Sequence, residues 1–114
     1  MPRYAILQHD HPQLHWDFLL ENGEIACCWR LAERPEVGVG ITAERIADHR
    51  LVYLDYEGPV SGDRGVVAQW DAGEYRVAGA VAWETSADIV LRGRRSVSRA
   101  ILSGGPDKCV WTFV

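Results

Sequence analysis

The chain holds four histidines, all before residue 50, and three of them, His9, His11 and His15, fall within seven residues. His15 and Asp17 are two apart. In an extended strand that spacing puts imidazole and carboxylate on one face, where they form a chelating pair. His9, across the turn at Pro12, can complete a set of two histidines and one carboxylate. Such donors suit manganese, iron or zinc and leave coordination positions open for water or substrate. The plainer alternative is a hydrogen-bonded His15–Asp17 pair, with His9 and His11 on a solvated turn. A second pair is His49 and Tyr53. Counted by twos along a strand, His49, Leu51 and Tyr53 share a face. Histidine suits general acid catalysis or phosphate contact near neutral pH. The competing reading is a strand-end histidine beside a core tyrosine.

These residues need elements to hold them, and the pattern is one of short strands separated by turn residues. Residues 3–8 (RYAILQ) read as a strand broken at HDHP, where Pro12 has no amide hydrogen to give. Residues 14–20 (LHWDFLL) alternate, with Trp16, Phe18 and Leu20 on the packing face and His15, Asp17 and Leu19 on the other. Asn22-Gly23 signals a hairpin, and 25–31 (IACCWRL) returns. A loop at 33–41 precedes a strand at about 43–48, although TAERIAD is too short to separate helix from strand. Residues 51–56 (LVYLDY) are expected as a strand ending at Gly58-Pro59. GVVAQW follows, then a turn at Asp71-Ala72-Gly73 into EYRVAG. ADIVLRG, SVSRAILS and KCVWTFV complete the set, with a turn at 103–107. This spacing predicts an all-β sandwich or barrel in one domain, 1–114.

Composition narrows the partners. The chain has 114 residues, a net charge of −4 and 47% hydrophobic residues, as expected of a folded domain without a membrane span. Residues 1–62 carry ten acidic and five basic side chains, and residues 63–114 six acidic and seven basic. The balance argues against indiscriminate, charge-driven binding to nucleic acid but leaves room for a local site. The first residues lack the apolar core of a signal peptide, so a cytoplasmic location is expected. Three cysteines, two of them adjacent, read as buried free thiols. The five tryptophans read as core. Gly38 and Gly40 lack the spacing and the Lys-Ser/Thr of a phosphate loop.

The segment HDHPQLHWDFLLENG resembles the H-D-x-x-x-L-H-x-D-F-R-L-E motif of the 3′-phosphoesterase domain of bacterial DNA ligase D. DHRLVYLDYEG (48–58) is similar to that family's D-H-P-x-x-Y-x-x-F-E-G, and QWDAGEY (69–75) to its V-W-D-x-G-x-Y. Trp29 and the final strand with Trp111 continue the match. The resemblance implies a single small β-barrel of about eight mostly antiparallel strands. It also implies a divalent metal, manganese first with zinc or iron as alternatives, held by His9, His15 and Asp17. His49 and Tyr53 would contact the scissile phosphate. The implied reaction removes a 3′-phosphate or 3′-ribonucleoside from nucleic-acid ends, DNA first, during end joining. A ligase or end-joining proteins are the implied partners of a monomer.

The chain departs from the motif in its basic residues. Leu19 stands where the family has an arginine on the site face, Glu33 where it has a lysine, and Ile41 near a third basic position. Leucine cannot donate to phosphate. On this reading Leu19→Arg raises activity unless another arginine already fills the role. Arg30, Arg34, Arg45 and Arg64 are available for that, and the sequence does not choose among them. Arg92, Arg94, Arg95 and Arg99 form either a patch for a nucleic-acid backbone or a solvated hairpin. Three functions stay open: a metal-dependent phosphoesterase, a silent metal-binding barrel that holds nucleic acid or a repair partner, and a small-molecule iron enzyme.

Overall fold

The computed structural model describes residues 1–95, 98–105 and 108–114. Its strands are β1 (Arg3–His9), β2 (His15–Asn22), β3 (Ile25–Leu31), β4 (Gly40–Arg50), β5 (Gly58–Pro59), β6 (Val66–Val77), β7 (Ala87–Gly93), β8 (Arg99–Gly104) and β9 (Cys109–Phe113). They pair in the order β1-β2-β3-β4-β9-β8-β7-β6, and β1 also pairs with β6, so eight antiparallel strands close into a barrel. The two-residue β5 lies beside β6, outside that ring. Among the described residues no helix is long and apolar enough to cross a membrane.

Alternation accounts for the core. Trp16, Phe18 and Leu20 of β2 point inward to meet Trp29, Leu31, Ile89, Leu102, Trp111 and Phe113. Trp29 and Trp111 meet edge to face at 5.2 Å, and Phe18 and Trp111 at 4.9 Å, geometries that favour aromatic pairs. Cys27 faces this interior and Cys28 the opposite side, and Cys27, Cys28 and Cys109 are buried free thiols.

The outer face of β1–β3 is covered as well. Ala5, Leu7, Leu19, Ala26, Cys28, Leu54 and Val67 form a second, smaller core. Its cover is the segment 51–60, and here the expected strand at 51–56 is overturned. Leu51–Leu54 is a single turn of 3-10 helix. The reason lies in the pairing: Arg50 sits opposite Ile25, the first residue of β3, so the chain beyond it has no strand left to bond. It turns instead to bury Leu54, with Leu51, Tyr53 and Tyr56 packed around it.

The strand expected at about 43–48 forms, and one further expectation changes. TAERIAD is strand, because β4 is bonded by β3 on one side and β9 on the other. Asp71-Ala72-Gly73 is no turn but the middle of the 12-residue β6. The residues look turn-like because the strand bends there: its register on β1 shifts between Ile6 and Leu7, leaving Trp70 as a bulge. Gly73 lies opposite Gly93, and a Cβ at Gly73 would stand 1.9 Å from the Arg92 carbonyl oxygen. The Asn22-Gly23 hairpin does form, with Asn22 paired to Ile25 and Gly23 at φ 67° leading the loop. Pro106 and Asp107 of the expected 103–107 turn, and the first two residues of SVSRAILS, lie outside the described residues.

Candidate metal centre and adjoining cleft

His9 ends β1, and His15 opens β2 directly opposite it. Asp17 follows on the same outward face of β2. The sheet register thus brings two imidazoles and a carboxylate together, with one nitrogen or oxygen from each lying within 4.8 Å of the others. His9 Nδ1 is 3.7 Å from Asp17 Oδ2, and His15 Nε2 is 3.3 Å from Asp17 Oδ1.

The remaining ring nitrogens decide what these atoms can do. His9 Nε2 lies 2.8 Å from the Arg64 carbonyl oxygen, and His15 Nδ1 lies 2.9 Å from that of Gln13. A carbonyl only accepts, so each of these nitrogens carries the proton and donates it. When the ring is neutral, its opposite nitrogen is a lone pair turned toward the Asp17 carboxylate. His15 Nε2 and Asp17 Oδ1 are buried without a hydrogen-bond partner. Unpartnered buried acceptors are costly, and these two, with His9 Nδ1 beside them, form a group that could hold a metal ion. Backbone carbonyls fixing the tautomer are the usual outer support of metal-binding histidines.

The loop that aims His9 depends on residues the sequence reading passed over. Asp10 Oδ1 accepts from the Val66 amide at 2.8 Å, fastening the loop after β1 to the start of β6. Gly65, at φ 78°, leaves room for that carboxylate: a Cβ there would lie 2.2 Å from Asp10 Oδ1. The aspartate of HDHP is a turn-capping residue type, and that was the available signal.

The triad borders a cleft of about 520 Å³ whose lining includes His9, Asp17, His49, Tyr53, Arg30, Arg50 and Arg64. His49 Nδ1 lies 2.9 Å from the Ala47 carbonyl oxygen, which leaves Nε2 as its unpaired atom. The His49 and Tyr53 rings meet edge to face at 5.7 Å, across the end of β4 and the 3-10 turn rather than along one strand. His11 lines the cleft too, with its ring 6.5 Å from that of His9.

The arginines divide sharply. Arg45 is engaged by the barrel: Nη1 donates to the Ile46 and Cys28 carbonyls, Nη2 to Asp48, and the guanidinium lies 4.9 Å from the Trp29 ring centre. Arg64 reaches the cleft, but Nε and Nη2 donate to Ser61. Arg92, Arg94 and Arg95 do not line it. Arg94 is bonded to Gln69, and Arg95 stacks 4.3 Å from Trp70 and donates to its carbonyl. Arg34 is exposed in the loop after β3, and Ile41 is in the barrel core.

Leu19 lies on the triad's face of β2, as alternation requires, yet it is fully buried in the second core and does not line the cleft. This changes what a substitution there should do. Leu19→Arg would place a guanidinium among Ala5, Leu7 and Leu54, where a buried charge lacks a partner. It is expected to lower the unfolding free energy by about 3 kcal/mol in urea titration rather than to gain a working phosphate contact.

Comparison with known proteins adds an independent line. A family model described as the DNA ligase D 3′-phosphoesterase domain matches residues 7–103. The multifunctional non-homologous end joining protein LigD of Pseudomonas aeruginosa is 33% identical over 78 residues, which cover 64% of this chain and 9% of that protein. The chain therefore corresponds to a small part of that relative.

Proposed function

The chain belongs to the DNA ligase D 3′-phosphoesterase domain family, and from that premise we propose that it is a metal-dependent hydrolase of nucleic-acid 3′ ends. It removes a 3′-phosphate or a terminal 3′-ribonucleoside, from DNA in the first instance, during end repair. The observation that carries this reading is the convergence of His9 Nδ1 and His15 Nε2, whose other ring nitrogens are held by backbone carbonyls, on the buried Asp17 carboxylate.

His9, His15 and Asp17 hold the cation, manganese first, with zinc and iron as the others that this nitrogen and oxygen set accepts. When bound, such an ion polarises a phosphoryl oxygen and lowers the pKa of water. The chain's own groups do the rest. The Ala47 carbonyl fixes the His49 ring, so a proton at Nε2 is the one delivered. In hydrolysis of a 3′-phosphate a water oxygen bonds to phosphorus, its protons staying with the phosphate product or passing to solvent. The P–O3′ bond breaks, and the departing 3′ oxygen takes the His49 Nε2 proton; in ribonucleoside removal the bond broken is P–O5′ of the terminal nucleoside. The Tyr53 hydroxyl donates to a phosphoryl oxygen. Inorganic phosphate and a 3′-hydroxyl end are the products, ready for a ligase or other end-joining proteins. The protein acts as a monomer in the cytoplasm.

The test is hydrolysis of a 3′-phosphorylated primer–template with added manganese. His49→Ala is expected to lower kcat by about 10²- to 10⁴-fold, the range of a lost general acid, with bound metal unchanged. His15→Ala is expected to lose both metal and turnover. Equal background from wild type and both variants would overturn the enzyme reading. It would favour a silent metal-binding barrel that holds nucleic acid or a repair partner, the alternative supported by leucine at position 19.

A further inference from the structure

One cation at the cleft, Arg30, stands beside the triad without a bonding partner among the described residues. Arg30 is the one exposed residue of β3. It lies directly opposite Asp17 in the β2–β3 register, and residues so paired stand on one face with Cβ atoms about 5 Å apart. Among the described residues its guanidinium makes no hydrogen bond or ion pair. It does not neutralise Asp17, whose two oxygens face His9 and His15. Of the other arginines lining the cleft, Arg64 donates to Ser61, and Arg50, at the end of β4, lies 5.8 Å from the Tyr53 ring without an opposing carboxylate among the described residues. Arg30 is distinguished from it by standing directly opposite Asp17.

Arg30 also lines a second cleft, of about 530 Å³, bordered by Gln13, Leu14, Thr42 and Lys108. It therefore stands on the saddle between the metal-side cleft and one holding the chain's single lysine. A nucleic-acid strand with its 3′ terminus at the triad and its body in the second cleft carries its phosphates past this point.

We infer that Arg30 grips the substrate's terminal phosphate from β3, supplying the guanidinium that β2 lacks at Leu19; this rests on the phosphoesterase reading. A planar guanidinium can meet two phosphate oxygens at once, which a lysine ammonium cannot reproduce.

The experiment has a kinetic and a binding arm. Arg30→Ala is expected to lower kcat/KM on a 3′-phosphorylated oligonucleotide about 10- to 100-fold, the loss of one charge-assisted contact. Bound manganese and melting temperature stay at wild-type values, and Arg30→Lys recovers only part of the loss. In the binding arm, fluorescence anisotropy with manganese compares 3′-phosphorylated and 3′-hydroxyl oligonucleotides in a His49→Gln background, where turnover is suppressed. The background protein is expected to prefer the phosphorylated end, and adding Arg30→Ala to erase that preference. Unchanged kcat/KM in Arg30→Ala, or a surviving preference, overturns the inference while leaving the phosphoesterase reading in place. If wild type itself does not turn over, that reading falls and the anisotropy comparison alone decides the role of Arg30.

Discussion

Asp17→Asn is expected to abolish stoichiometric manganese binding and to lower turnover of a 3′-phosphorylated end by about three orders of magnitude, while the barrel stays folded. The magnitude follows from the several kcal/mol that a metal contributes to stabilising developing charge, at about 1.4 kcal/mol per decade. The folding outcome follows from burial. Asp17 Oδ1 is an acceptor with no donor, so without metal the carboxylate is a cost to the fold, and a neutral amide relieves it. Melting without metal should therefore put Asp17→Asn level with wild type or above it. Added manganese should raise the wild-type melting temperature only, since a ligand at 100 times its Kd contributes about 2.7 kcal/mol to the state that binds it. A variant that melts far below wild type without metal would show that Asp17 is a structural residue.

The opposite outcome is expected at Asp71, also fully buried. Its carboxylate is saturated: Oδ1 accepts from the Ala72, Arg94 and Arg95 amides at 2.9, 2.9 and 3.3 Å, and Oδ2 from the Tyr4 hydroxyl at 2.7 Å. It thereby ties β1, β6 and the chain after β7 together where the barrel closes. Burial, reinforced by the bond to Asp71, pushes the Tyr4 hydroxyl well above the usual phenol range. Asp71→Ala strands a buried hydroxyl and up to three amides at once. It should cost about 3–5 kcal/mol, the upper range for one substitution that breaks a buried hydrogen-bond network. In a domain of this size that lowers the melting temperature by about 15 °C. Tyr4→Phe should cost less, and the double variant less than the sum of the two, because the residues share one bond. Strict additivity in thermal melts would remove Asp71 from the closure.

The comparison of these two aspartates shows what could be read before the fold was known. Asp17 stood out because two-residue spacing from His15 is a strand-face relation, and strand pairing then delivered His9 at no further cost in assumptions. Asp71 sat in a stretch that reads as a turn, since the bulge at Trp70 and the close approach of Gly73 to Gly93 are properties of the closed sheet. Residues 51–56 alternate well enough to pass for a strand. Only the end of β3 at Ile25 shows that no partner is there. The rings of His49 and Tyr53 do lie together, but not on a shared strand face; the 3-10 turn brings them there. The choice among Arg30, Arg34, Arg45 and Arg64 was closed to the sequence because it depends on which guanidiniums are already engaged.

The two apolar layers on either side of β2 leave His15 to Leu20 without a solvent-facing position. On such a strand inward changes disturb the aromatic core, and outward ones meet either the triad or the cover. A guanidinium is tolerated at residue 30 of β3 at little expense to the fold, whereas at residue 19 under this cover it is not. The strand carrying Asp17 is closed on both faces from His15 to Leu20, and the strand beside it opens to water at Arg30.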